Sequence, residues 1–322
     1  MKQLRWPVEN AATTRNAVSH QAANQQAEAV NGGKAPQLEV VLRGGMGNQL
    51  FQWAFGEFVK QHLPVEVVFD SSIVNLGGIH WGEQLSQWLP NVNVADLHKR
   101  PITALMSKPK WSIARYYQWF YPRWETLRFS TPQQAIKRIA KGKNARVADP
   151  CFYTQEMPKH PEIAHILSES LLNLHYIDEP HTALHIRRGD YFQQWERAIL
   201  PSAYYELAAN KFPKDLPLWI VSDDKEFAES VAVQLREMGM DAKVVAGPDH
   251  FYDLTVLATA NALLLSTSSY SWWGAYIAQT VKGAEVYYPQ PWSPVANFWD
   301  KLTENIGWPL PGWIGVPREE IG

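Results

Sequence analysis

The chain has 322 residues, which suits about two domains of roughly 150 residues each. Its 30 Lys and Arg side chains nearly balance 32 Asp and Glu side chains, and the net charge of -2 excludes a general attraction to nucleic acid. Hydrophobic residues make up 46% and charged residues 19%, so the composition is that of a globular protein. The one cysteine, Cys151, excludes an intramolecular disulfide and a thiolate zinc cage, and no apolar run is long enough for a transmembrane helix.

The predicted elements follow a polar tail over residues 1–36, which we expect to be disordered. Residues 38–42 are a β-branched run that predicts a buried strand ending at a glycine turn, and a helix follows. Residues 65–69 predict a second strand that ends at Asp70, so these segments form one β-α-β unit.

A second α/β series begins near residue 182. It predicts strands over residues 182–186, 216–221, 243–245, 262–265 and 285–288, with helices over 203–212, 225–238, 253–260 and 270–282, the last closed by Gly283. We therefore expect two open α/β domains, residues 37–178 and 179–322. In such sheets, ligands bind outside the carboxyl ends of the strands, so the strand ends are where chemistry is expected.

The first strand end is the turn from Gly44 to Gln49. In it, Gly45, Gly47, Asn48 and Gln49 suit a loop that brings backbone close to a nucleotide at a helix N-terminus. The spacing fits neither the dinucleotide fingerprint nor a phosphate-binding P-loop. A tight turn that uses glycine only for its positive φ remains the other interpretation.

The second strand end runs from His185 to Tyr191 and contains Arg187 and Arg188, whose guanidinium groups offer paired donors to a diphosphate. Side chains alternate along a strand, so we expect one arginine to meet the ligand and the other to brace the structure. Asp190 is favoured as a partner of these cations over a general base. No metal site is predicted from the nearby His181 and His185 pair, because neither Glu nor Cys accompanies it.

The third and fourth strand ends carry carboxylates and hydroxyls. Asp223 and Asp224 can accept hydrogen bonds from guanine or ribose, or they can cap the helix that follows. Ser268 and Ser269 open the next helix, where they suit a phosphate cradle, although one serine of that turn must be the helix cap. The chain lacks the D-x-D spacing that holds a divalent cation in many sugar-nucleotide enzymes. Arginines and helix ends must therefore take the charge of any leaving diphosphate.

Together these strand ends resemble one family, the bacterial and animal α-1,2-fucosyltransferases. The resemblance runs in order through residues 44–52, Asp70, residues 151–156, 185–191, 204–205, 222–224, 253–254 and 268–274, and ends at Pro289 and Trp292. It implies an α/β, GT-B-like fold of two facing Rossmann-like domains with the active site in the cleft. It also implies GDP-fucose as donor, inversion at the anomeric carbon, the O2 of a galactose-terminated oligosaccharide as acceptor, and no metal or other cofactor.

The same resemblance implies roles for the singled-out residues. Arg187 or Arg188 would neutralise the β-phosphate, Ser268 and Ser269 would cradle phosphate, and His185 with Asp223 or Asp224 would lie near guanosine. The glycine turn with Asn48 would close over the donor. Asp70 and Asp190 are the two candidates for the catalytic base.

The resemblance leaves the acceptor open, because Thr267–Trp273 and Ala258–Asn261 depart from the family's usual residues. The missing membrane anchor favours a bacterial cytoplasmic enzyme that works near the inner membrane on surface glycans. Two alternatives stay open: a GT-B transferase that uses another GDP-sugar or acceptor, and a non-catalytic glycan- or nucleotide-binding protein.

Overall fold

The computed structural model describes residues 35–72, 74–76, 82–89, 91–97, 132–147, 160–189, 191–194, 198–292 and 309–318. The helices within these ranges are α1 (Met46–His62), α2 (Pro132–Ile139), α3 (Pro161–Leu174), α4 (Tyr191–Gln194), α5 (Ser202–Ala209), α6 (Lys225–Glu237), α7 (His250–Thr259) and α8 (Ser269–Lys282). The strands are β1 (Gln37–Val41), β2 (Glu66–Asp70), β3 (Val94–Ala95), β4 (Ala145–Val147), β5 (Thr182–Ile186), β6 (Leu218–Ser222), β7 (Ala242–Val244), β8 (Ala262–Leu264), β9 (Glu285–Gln290) and β10 (Ile314–Pro317). The predicted tail up to Lys34, the stretch over residues 151–156 and Asp190 lie outside the described residues.

The first unit is built on a parallel sheet with strand order β3-β2-β1-β4. Leu38 of β1 is paired with Val67 on one side and Ala145 on the other. Leu38, Val40 and Val41 of this strand are fully buried, whereas Glu39 is paired with Arg146 of β4. Gly56 lets α1 approach this sheet closely, because a Cβ at that position would lie 2.7 Å from Cζ of Phe69.

The second unit is a six-stranded parallel sheet with strand order β10-β9-β8-β5-β6-β7. The chain winds from β5 outward to β7, then returns to the other side of β5 and winds outward through β8 to β10. Leu184 in the centre is paired with Ile220 and with Leu264, and all three side chains are buried. The direction of winding reverses between β5 and β8, and this reversal is the place where doubly wound sheets bind ligands.

The two units do not divide at residue 178, where the sequence analysis placed the domain boundary. The described residues from His160 onward cluster with the second unit, and so do Gly45–Leu50 at the start of α1. Helix α3 packs against α7 and α8, and the Tyr276 hydroxyl of α8 donates to the His160 carbonyl at 2.9 Å. This tertiary packing, invisible in the local pattern, places α3 in the second unit.

The predicted α/β class with two Rossmann-like units is confirmed. The predicted strands and helices of the second series are present with ends shifted by up to three residues, while β10 was not predicted. Within the described ranges, no helix combines the length and apolar character needed to cross a bilayer.

Candidate functional site

The centre of the site is the carboxyl edge of β5 and β8, where the winding reverses. His185 lies near the end of β5, is 4% exposed, and its Nδ1 lies 2.7 Å from Oγ of Ser266, just after β8. Burial lowers the pKa of His185 to about 3, so the ring is neutral at physiological pH. The imidazole thus links the two strands on either side of the reversal without carrying charge.

The two arginines that follow β5 have different surroundings. The strand ends at Ile186, so strict alternation of faces does not govern them. Nη1 of Arg187 lies 3.0 Å from Oδ2 of Asp223, and Nε of Arg188 lies 3.0 Å from Oδ2 of Asp224. The Arg187 side chain is 30% exposed against 16% for Arg188. Both arginines are therefore held by carboxylates, with Arg187 closer to solvent.

Arg188 is also enclosed by aromatic rings. Its guanidinium carbon lies 3.7 Å from the ring centroid of Phe227 and 4.9 Å from that of Phe192. Stacking of a planar guanidinium on aromatic faces fixes its orientation. Arg188 is thus held by Asp224, Phe227 and Phe192, and which of the two arginines meets a ligand stays a prediction.

The carboxylates that follow β6 bind the protein's own groups. Asp224 is the N-cap of α6 and accepts from the Phe227 backbone N–H at 3.1 Å, so it fills the capping role considered above. Asp223 accepts from the Arg188 backbone N–H at 2.9 Å. A Cβ on Gly189 would lie 2.7 Å from Oδ2 of Asp223, so glycine allows this close approach. A guanosine contact for these carboxylates stays a prediction.

The serine turn after β8 forms the start of α8. Ser268 is the N-cap, and its hydroxyl accepts from the Tyr270 backbone N–H at 3.3 Å. The Ser271 hydroxyl donates to the Ser266 and Ser268 carbonyls at 3.3 and 3.2 Å, which holds the turn. The first turn of this 14-residue helix carries the partial positive charge that favours anions. The phosphate cradle at Ser268 and Ser269 remains a prediction.

The glycine turn before α1 is stabilised by its neighbours. Gly44 has a φ of 71°, the left-handed conformation that favours glycine. The Gln52 side chain accepts from the Arg43 backbone N–H at 2.9 Å and donates to the Arg43 carbonyl at 3.2 Å. Asn48 and Gln49 donate their backbone N–H groups to the carbonyl of Gly45, at 3.0 and 3.1 Å. These contacts account for the tight turn, and the predicted nucleotide contact of these residues is untested.

Gly47 packs against the start of α8. A Cβ on Gly47 would lie 2.6 Å from the backbone carbon of Ser269 and 2.6 Å from the Tyr270 backbone nitrogen. The buried Trp273 side chain donates from Nε1 to the Gly47 carbonyl at 2.9 Å. The close approach that this glycine permits is thus made by the protein's own helix, beside the predicted phosphate cradle.

Asp70 has the environment of a structural carboxylate. It is completely buried, and Oδ1 accepts from the backbone N–H groups of Ser72 at 3.0 Å and Leu97 at 3.3 Å. Oδ2 lies 3.2 Å from Nη2 of Arg146, which is also paired with Glu39. A base must reach the acceptor hydroxyl, so this enclosed carboxylate is poorly placed for the catalytic role suggested for it above.

One acidic residue near the site was absent from the predicted set. Asp253, in the first turn of α7, has a buried Oδ1 with no hydrogen-bond partner among the described residues, and burial raises its pKa. The pKa of Tyr270 is raised well above its ordinary value, mainly by burial, and the charge of Asp253 acts in the same direction. The sequence signal for Asp253 was its place in the family resemblance, at residues 253–254, where no role was given to it.

No group of three or more His, Cys, Asp or Glu side chains within the described ranges is arranged to hold a metal ion. The rejected His181 and His185 pair has other partners: the two ring nitrogens of His181 contact the carbonyls of Glu179 and Val256, at 2.7 and 2.9 Å. The cations near the site are arginines, and the polar donors come from helix ends.

Comparison with known families identifies the class. Residues 152–316, slightly more than half of the chain, match the sequence model described as Glycosyl transferase family 11. The protein is therefore a glycosyltransferase, an enzyme that moves a sugar onto an acceptor. Within that class, the chain belongs to glycosyl transferase family 11.

The chain is also similar to two curated proteins and to solved structures. The chain is 23% identical over 283 residues to an alpha-1,2-colitosyltransferase of Escherichia coli, and the match covers 78% of this chain and 90% of that protein. It is 30% identical over 146 residues to the O-antigen biosynthesis glycosyltransferase WbnK of Escherichia coli, covering 42% of this chain and 44% of that protein. The solved structure of fucosyltransferase NodZ from Bradyrhizobium is matched at 14% identity and a TM-score of 0.37, over 75% of this chain and 93% of that one.

Proposed function

We propose that this enzyme transfers L-fucose from GDP-fucose to the O2 of a galactoside, with inversion, to form an α-1,2 linkage during surface glycan or O-antigen synthesis. The observation that carries the proposal is the placement of Arg187 at the winding reversal of the second unit, directly after β5, the strand adjacent to the one that leads into α8. Family membership and the relative named as an alpha-1,2-colitosyltransferase support the transfer and the linkage.

In this reaction the protein mainly positions the reactants and stabilises the charge of the leaving group. The acceptor O2 attacks C1 of fucose as the bond from C1 to the β-phosphate oxygen breaks, and the acceptor proton passes to a base. The diphosphate leaves with an extra negative charge, which the Arg187 guanidinium and the first turn of α8 stabilise. The sugar passes through an oxocarbenium-like transition state, so help to the leaving group dominates. Asp190 is the candidate base, since Asp70 is enclosed.

Arg187 is oriented by Asp223 and Tyr191, and its side chain is 30% exposed. Asp223 holds Nη1, and the ring of Tyr191 has its centroid 5.6 Å from the guanidinium carbon. Orientation before the reaction matters, because a preorganised cation needs no rearrangement when charge develops. Arg188, which contacts Asp224 and Phe227, keeps the loop in place.

Asp253 is the proposed hydrogen-bond partner of the guanine base of the donor. Guanine offers a pair of N–H donors along one edge, and Oδ1 of Asp253, which has no hydrogen-bond partner within the described part of the chain, is suited to accept from them. Adenine has no such pair of donors. Asp253 therefore supports a guanosine nucleotide over an adenosine one, with His185 as a neutral neighbour of Tyr270, at a ring centroid distance of 5.8 Å.

Transfer of a different sugar is the second candidate. It is favoured by the relative named as a colitosyltransferase, which this chain matches over 90% of that protein's length. The residues proposed above bind the diphosphate and the nucleoside of the donor. These parts are the same in every GDP-sugar, so the residues do not select one sugar over another. Donor choice therefore has to be measured directly.

The test is to incubate the purified protein with GDP-fucose and a panel of β-galactosides, with no added metal, and to follow GDP release together with the mass and linkage of the product. An α-1,2-fucosylated product that is absent with Arg187→Ala supports the proposal, and we expect EDTA to leave the rate unchanged. Transfer from a colitose donor alone would establish the second candidate. Absence of transfer from every donor, despite nucleotide binding, would support a binding protein and refute the proposal.

A further inference from the structure

A third arginine is connected to the candidate site from the far edge of the same sheet. Arg318 follows β10, two residues beyond the segment that matches the family model. Its backbone N–H donates to the Gln290 carbonyl at 3.0 Å, which continues the pairing of β10 with β9. The position of the residue is thus set by the sheet.

The guanidinium of Arg318 bridges two strand ends. Nε donates to the Pro291 carbonyl at 2.8 Å, and Nη2 donates to the Trp292 carbonyl at 3.0 Å, both just after β9. The same Nη2 donates to Oγ1 of Thr267, which follows β8, and that hydroxyl donates to the Trp292 carbonyl at 2.7 Å. One planar group therefore joins the ends of β9 and β8.

Thr267 connects this bridge to the site. It directly precedes Ser268, the N-cap of α8. Its carbonyl accepts from the Tyr191 hydroxyl at 2.5 Å, and the Tyr191 ring lies against the Arg187 guanidinium. A shift of Thr267 would therefore move both the start of α8 and the ring beside Arg187.

We infer that Arg318 is a positioning residue that fixes Thr267, and thereby sets the spacing between the first turn of α8 and Arg187 for a sugar-nucleotide diphosphate. This inference rests on the proposed function. It requires arginine, because a lysine at the same place has the charge but not the planar fork that reaches a hydroxyl and two carbonyls together. It also requires the Thr267 hydroxyl, which both accepts from Arg318 and donates to Trp292.

The test compares Arg318→Lys with Arg236→Lys. Arg236 is a matched control, because it also donates to a carbonyl of this unit, that of Ala242 at 3.1 Å, and has a carboxylate partner in Glu229. We expect Arg318→Lys to weaken GDP binding tenfold or more in calorimetry, while guanosine binding changes less than twofold. Arg236→Lys should change neither. A loss caused by general loosening would weaken GDP and guanosine equally, and that result would overturn the inference.

A double-mutant cycle with Thr267→Val supplies the second measurement. If Arg318 acts through Thr267, the double variant should bind GDP no more than twofold more weakly than the weaker single variant, since both changes remove one interaction. Additive losses would overturn the inference. Failure of the wild-type protein to bind GDP would instead overturn the proposed function, whereas normal GDP binding by Arg318→Lys would overturn only the positioning role.

Discussion

The two adjacent arginines should separate stability from catalysis when each is replaced by alanine. Arg188 is 16% exposed, lies 3.7 Å from the Phe227 ring centroid and is paired with Asp224. Loss of the cation–π contact costs about 0.5–2 kcal/mol, and loss of the partly exposed ion pair costs about 0.2–1 kcal/mol. We therefore expect Arg188→Ala to lower the free energy of unfolding by about 1–3 kcal/mol.

Arg187 should show the opposite balance. It is 30% exposed, and its ion pair with Asp223 contributes about 0.2–1 kcal/mol, so Arg187→Ala should leave stability nearly unchanged. Removal of a preorganised group that stabilises transition-state charge typically costs about 10²–10³ in turnover. We expect that loss in Arg187→Ala.

Urea unfolding followed by tryptophan fluorescence and turnover of GDP-fucose at saturating donor would measure the two effects side by side. Turnover is measured well below the denaturation midpoint of each variant. The reasoning is refuted if Arg187→Ala retains wild-type turnover, or if Arg188→Ala unfolds at the same urea concentration as the wild type.

Three further predictions concern the surroundings of these arginines. Gly47→Ala should lose about 2–5 kcal/mol of stability, because its Cβ would lie 2.6 Å from Ser269 backbone and would separate Trp273 from its acceptor. Gly283→Ala adds a Cβ with nothing within 4 Å but at a φ of 71°, so it should lose only the left-handed penalty of about 1–2 kcal/mol; a loss at Gly47 no larger than this in urea unfolding would contradict the packing argument. Burial lowers the pKa of His185 from 6.5 to about 3. Between these two pH values the unfolded chain binds a proton that the folded chain does not. The free energy of unfolding should therefore fall by about 1.4 kcal/mol per pH unit as the pH drops below 6.5. His185→Gln should then show a shallower loss of stability toward acid, and parallel curves would disprove the assignment. Asp253→Asn should weaken GDP binding about tenfold or more and leave ADP binding unchanged in calorimetry; an equal effect on both nucleotides would argue against base recognition.

Local sequence determined much of the second unit. The helix predicted over residues 270–282 is observed as Ser269–Lys282, and Gly283 follows it with a φ of 71°. A serine cap before the helix and a glycine after it are local signals, so no tertiary information was needed. The start of α7 was placed three residues late because the Asp249 cap, which accepts from two backbone N–H groups, was overlooked.

Other features depended on distant residues. The sequence predicted that one of the two arginines would brace the loop. The contact of Arg188 with Phe227, 39 positions further along the chain, forms only in the folded protein. Strand β10 and Arg318 were missed because four residues with two glycine or proline positions carry no clear strand pattern, and their partner is β9. Asp70 ends a strand as a ligand-binding carboxylate would, and only the surrounding backbone N–H groups reveal its enclosed setting.

The second unit is assembled from segments that lie far apart in the sequence. Gly45–Leu50 cluster with a unit whose remaining residues lie mostly beyond position 150, and the Gly47 carbonyl is the acceptor for the Trp273 indole. A fragment cut at position 150 would therefore lack this segment and expose a large aromatic side chain with an unsatisfied donor. During synthesis this segment emerges before the part of the chain that packs against it. When the two halves are expressed separately, the second half should therefore aggregate, and coexpression with the first half should restore its solubility.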